Sequence, residues 1–112
     1  LYGGTAKQAI NAASMAIQNM IGLVCDPIAD RVEAPCLGKN VSAAVNALSS
    51  ATMVCAGYNA LIPLDEVIGT VSSVSAQMPT CVKCTGKGGL AITKTACAIK
   101  ESLKVKNTFI KT

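Results

Sequence analysis

The chain has 112 residues, 51% of them apolar, with ten basic against six acidic side chains, one Phe, two Tyr and no His or Trp. That length and apolar content favour one packed domain over disorder, and so few aromatics leave Ala, Val, Ile, Leu and Met to build the core, which suits closely approaching helices. Polar residues break every apolar run short of the roughly 20 residues a membrane span needs, and the start at Leu1 carries no signal-peptide pattern. The chain therefore reads as a soluble, cytoplasmic protein cut from a longer polypeptide.

Thr5-Ala6-Lys7-Gln8 has the wording of a capping box, so a first helix is predicted over 5–21. Ala9, Ala12, Ala13, Ala16, Ile17 and Met20 form its packing stripe, Lys7, Asn11, Gln18 and Asn19 its more exposed side, and Gly22 ends it. From 23 to 39 the period is lost: Pro27 and Pro35 interrupt, and Asp26, Asp30, Arg31 and Glu33 crowd together, so an irregular loop is expected.

A second helix follows over 40–57, capped by Asn40 or Ser42. It carries no charge, which makes it the most buried of the set. Pro63 opens a third helix over 63–78, with Asp65 and Glu66 at its positive end and Val67, Ile68, Val71, Val74 and Met78 as its apolar face. Pro79 stops it, a glycine-rich loop runs over 80–89, and the segment beyond has no clear type. The fold class is all-α: a compact helical domain with a cysteine-bearing irregular loop between its first two long helices.

Seven of the ten basic residues lie at or after Lys83. Spaced among Thr, Ala and Ile, without an Arg cluster or interleaved aromatics, they read as a solvated face and imply no nucleic-acid partner. Six cysteines in a helix-rich chain argue for metal ligands, redox centres or small core residues over a disulfide framework.

Cys25-Asp26-Pro27 and Cys36, eleven positions on, share the proline-bearing loop. Irregular backbone suits cluster ligands, but an iron-sulfur cluster takes three or four thiolates, and spacing alone favours two ordinary core cysteines. Cys81-Val82-Lys83-Cys84 has zinc or redox spacing, with Lys83 placed to favour a thiolate, yet it lacks a second pair or a βαβ setting. Thr85-Gly86-Lys87-Gly88-Gly89 lacks the strand and the Gly-Lys-Ser/Thr ending of a phosphate loop.

The wider wording adds a family. Gly22-Leu23-Val24-Cys25-Asp26-Pro27-Ile28-Ala29, followed by Val32-Glu33-Ala34-Pro35-Cys36, resembles the signature of the iron-sulfur L-serine dehydratases. Gly3-Gly4-Thr5, Asn11-Ala12-Ala13, Lys39-Asn40, Asp65-Glu66-Val67-Ile68 and Gly88-Gly89-Leu90-Ala91 match family segments in order, so the resemblance spans residues 3–97.

It implies the C-terminal, cluster-binding part of the alpha-type domain of an L-serine ammonia-lyase. A four-iron four-sulfur cluster would be held by three cysteines, Cys25 and Cys36 among them, with the third in a segment upstream of Leu1. One open iron would draw on the serine hydroxyl while a base, not identifiable here, takes the α-proton; loss of water leads to pyruvate and ammonia. L-serine is the implied substrate, the missing N-terminal segment or a beta chain the implied partner, and a homo-oligomer the implied state.

Cys97 sits where some single-chain members place a terminal cysteine that caps the open iron, although fifteen residues follow it here. Cys97 and Cys84 are thus the candidates for a further ligand. Ala29-Asp30-Arg31 replaces a glycine-rich stretch of the family. Two alternatives from the residues themselves are a non-catalytic helical interaction domain and a zinc or thiol-redox protein using Cys81 and Cys84.

Overall fold

A computed structural model describes residues 3–31 and 33–110, without the side chains of 107–110. Val32 of the Pro-Cys motif and Lys111 of the basic segment lie outside the described residues. The chain is all-α: α1 (Ala6–Gln18), α2 (Ala34–Cys55), α3 (Leu64–Gln77) and α4 (Lys94–Ile110), with short 3-10 turns at Thr80–Val82 and Gly89–Ile92. It divides into two compact units, residues 1–23 with 39–77 and residues 24–38 with 78–112.

In the first unit, α1 starts at the predicted capping box. The Thr5 hydroxyl accepts the Gln8 amide at 3.1 Å and Gln8 Oε1 accepts the Thr5 amide at 2.8 Å. The apolar core is small: Met15, Val54 and Ala60 are buried together, with Ala12 packed beside them. Polar side chains do much of the remaining joining. Buried Ser14 donates to the Ile62 carbonyl at 2.6 Å, Gln18 donates to the Ala60 carbonyl at 2.9 Å, and Asn11 Oδ1 accepts the Ala60 amide at 3.0 Å. Asn11 and Gln18, expected on the exposed side, thus pin the 60–62 turn onto α1, because this turn has no regular partner for its backbone groups.

The second helix departs from its prediction in two ways. It begins at Ala34, so Asn40 and Ser42 lie inside it and cap nothing. Pro35 is compatible with the first turn, where its missing N–H would have no partner, and the Leu37 amide already donates to the Glu33 carbonyl at 3.0 Å.

Nor is α2 the buried helix. Only Ser50 and Val54 are buried, while Val41, Val45 and Leu48 are 56%, 57% and 47% exposed. At 3.6 residues per turn, Asn46, Ser50 and Val54 fall on the face opposite Val41, Val45 and Leu48. The inward face is polar: Asn46 donates to the Ala16 carbonyl at 2.8 Å and accepts from Asn19 at 2.9 Å. Absence of charge was read as burial on all sides, but one side alone has a neighbour within this unit.

Pro63 sits just before α3, its carbonyl accepting the Glu66 and Val67 amides at 3.1 Å each, and Asp65 and Glu66 occupy the first turn as predicted. Helices α1 and α3 pack together. Val67 is buried, whereas Ile68 and Val71, assigned to the same apolar face, are exposed. The packed stripe is therefore narrower than predicted.

In the second unit the segment of unclear type is α4. Thr93 caps it, its hydroxyl accepting the Ala96 amide at 3.3 Å. Ala96 is buried, while Lys94, Lys100, Lys104 and Lys106 are exposed, the solvated face expected of the basic segment. Among the described residues no helix is long and apolar enough to cross a membrane.

Candidate metal centre

The segment from Val24 to Arg31 is the centre of the second unit, and three ties hold it. The first is at Cys25, whose amide donates to the Val82 carbonyl at 3.0 Å and whose carbonyl accepts the Cys84 amide at 2.8 Å, an isolated parallel bridge opposite Lys83. The Cys-x-x-Cys segment thus serves as backbone support for Cys25. Its own shape is set by the 3-10 turn at Thr80–Val82 after Pro79, by the Thr85 hydroxyl donating to the Cys81 carbonyl at 2.8 Å, and by Cys84 at φ 63°.

The second tie is at Asp26, which is buried. Its Oδ2 accepts the Leu90 amide at 2.7 Å, a short bond of the charge-assisted kind. Gly88-Gly89 lets the loop come this close. A Cβ on Gly89, at φ +60°, would lie 2.7 Å from Asp26 Oδ2, and one on Gly88 would lie 2.9 Å from the Cys81 carbonyl oxygen. Only glycine satisfies both demands at position 89.

The third tie is a tight turn. The Arg31 amide donates to the Ile28 carbonyl at 3.0 Å across Ala29 (φ 53°) and Asp30 (φ 60°), a type I′ arrangement that favours glycine and asparagine. Ala29 and Asp30 thus accept a conformation that glycine adopts freely. Asp30 also pairs with Lys100 at 2.8 Å, and this hydrogen bond, followed by the carboxylate's charge, raises the Lys100 pKa above the ordinary lysine value.

Cys25 and Cys36 belong to the same unit; neither is in a disulfide and both are half-buried. Cys36 is not in the irregular loop where it was expected; the early start of α2 puts it in the first helical turn. Cys81, Cys84 and Cys97 are free and exposed in this unit, with Cys97 in the first turn of α4, while Cys55 is exposed in the other unit. Among the described residues no three His, Cys, Asp or Glu side chains are grouped to hold a metal ion.

Cys25 on the braced segment and Cys36 in the first turn of α2 are partly accessible thiols outside any disulfide, and thiolates are the donors of an iron-sulfur cluster, which takes three or four. Sequence reasoning named the two thiols as candidates and missed the supports at 82–84 and 89–90; the adjacent glycines at 88 and 89 were the one signal of a close backbone approach.

The family model "Serine dehydratase alpha chain" matches residues 1–91. The chain is 49% identical over 98 residues to the probable L-serine dehydratase alpha chain of Latilactobacillus sakei, covering 88% of this chain and 47% of that protein. It is 43% identical over 103 residues to its counterpart in Bacillus subtilis (92% and 34% covered). It is 45% identical over 100 residues to the L-serine dehydratase alpha chain of Peptoniphilus asaccharolyticus (89% and 34% covered). It thus spans between a third and a half of the length of these curated relatives. No solved structure matches. The family match includes Cys25, Asp26, Cys36 and the Gly88-Gly89 loop, and by that match the chain belongs to the serine dehydratase alpha chain family.

Proposed function

We propose that the chain is the C-terminal, ligand-bearing portion of an iron-sulfur L-serine dehydratase, which converts L-serine to pyruvate and ammonia. Cys25 and Cys36 provide two of its three thiolate ligands. The observation that carries this reading is the placement of both cysteines, half-buried and outside any disulfide, in one unit of a chain that matches the family. The third thiolate comes from the part of the alpha chain that these 112 residues do not span, or from a partner chain. When bound, a cluster with one open iron supplies the Lewis acid that eases departure of the serine hydroxyl. The chain's own part is to hold the Cys25 sulfur on a segment whose backbone is tied to residues 82–84 and 90, and the Cys36 sulfur on the first turn of α2.

The test uses this chain joined to the remainder of an alpha chain and reconstituted anaerobically with iron and sulfide. Cys25→Ala and Cys36→Ala each lower bound iron and abolish serine-dependent pyruvate formation, whereas Cys55→Ala changes neither. Full iron content in the Cys25→Ala protein would remove Cys25 from the ligand set and overturn the proposal.

A further inference from the structure

Two signature segments 64 residues apart meet at one carboxylate: Asp26, next to Cys25, accepts the amide of Leu90, next to Gly88-Gly89. We infer that Asp26 is a positioning residue, whose hold on the Leu90 amide fixes the direction in which Cys25 presents its sulfur. The inference rests on the reading of Cys25 as an iron ligand.

The Cys25 backbone is gripped along one edge by Val82 and Cys84, which hold its amide and its carbonyl and leave the φ and ψ of Asp26 to be set by other contacts. The Asp26 carboxylate, anchored at 2.7 Å and buried, fixes the next residue, and Pro27 sets the backbone after it. Cys25 is thereby held from both sides. Such precision matters because a ligand sulfur misplaced by about 0.5 Å no longer meets its metal well. Gly89 belongs to the same device, since any Cβ there would push into the carboxylate. In this role Asp26 works as a hydrogen-bond acceptor and transfers no proton, and that separates it from a catalytic base.

The experiment measures Leu90 amide exchange and Cys25 alkylation in the 112-residue chain, then iron content in the longer reconstituted protein. Asp26→Ala removes the acceptor, so Leu90 exchange and Cys25 alkylation each quicken by about tenfold or more, the equivalent of one charge-assisted hydrogen bond, while Cys55 alkylation stays unchanged as a check on the fold. Asp26→Asn keeps a carbonyl acceptor and stays within about threefold of the parent on both measures. Gly89→Ala, approaching from the opposite side, reproduces the Asp26→Ala effect and serves if that variant fails to fold. In the longer protein, iron content falls with Asp26→Ala and is retained with Asp26→Asn.

Unchanged Cys25 alkylation in both Asp26→Ala and Gly89→Ala overturns the inference. So does Asp26→Asn losing as much iron as Asp26→Ala, because charge or proton transfer would then be the essential property. Failure of the ligand reading itself looks different: Cys25→Ala would keep its iron while the alkylation differences persisted.

Discussion

At the scale of single residues, the chain relies on polar side chains that bond to the backbone of distant turns. Asn11 is the clearest case: its Oδ1 satisfies the amide of buried Ala60 at 3.0 Å. Asn11→Ala would leave that amide without an acceptor, at a cost of about 1–3 kcal/mol, whereas Asn11→Asp keeps an acceptor and costs clearly less. Urea unfolding of the two variants measures the difference, and equal losses would mean that the side chain acts through packing alone. Asn11 was read as exposed because helical periodicity sorts residues by polarity and says nothing of a turn 49 positions away. The capping box at Thr5 and Gln8 was legible for the opposite reason, since both partners lie within one turn. Ala29 and Asp30 stand between these cases. The departure from a glycine-rich pattern was visible in the sequence, but the left-handed backbone that gives it meaning is seen only in the turn itself.

At the scale of elements, the existence of three helices followed from period and punctuation, while burial did not. The fully apolar reading of α2 took lack of charge as evidence of a core on every side. Its inward residues are instead Asn46, Ser50 and Val54, with Val41, Val45 and Leu48 turned outward. Substitutions therefore have opposite weight to what composition suggests. Val54→Ala, at 4% exposure, removes methyls from the small cluster with Met15 and Ala60 and is expected to cost about 2 kcal/mol, as truncations of buried aliphatic side chains do. Val45→Ala stays within about 0.5 kcal/mol, as surface changes do. Thermal unfolding of the pair checks this, and comparable losses would mean that the outer face of α2 is packed within this chain. The N-terminal extension of α2 to Ala34 was missed because Pro35 was read as a break, whereas a first-turn proline continues into a helix without loss.

At the scale of the whole molecule, the candidate ligands were legible through wording and their framework was not, because Cys25 depends on residues 82–84 and Asp26 on Leu90, contacts that no local pattern encodes. The second unit brings five of the six cysteines into one compact region without grouping three ligand side chains among the described residues. On the proposed reading the missing thiolate lies in the part of the relatives that this chain does not span. A cubane held by two thiolates is labile, so the 112 residues alone should bind iron weakly after anaerobic reconstitution and form no pyruvate from L-serine. Joined to the remainder of an alpha chain, the same residues should hold iron through gel filtration and acquire serine-dependent pyruvate formation. If the chain alone matched the longer protein in rate, the third ligand would have to be its own. Cys84 and Cys97 would then be the first to replace by alanine: both are exposed in the unit that contains Cys25 and Cys36, and Cys84 already donates its amide to the Cys25 carbonyl.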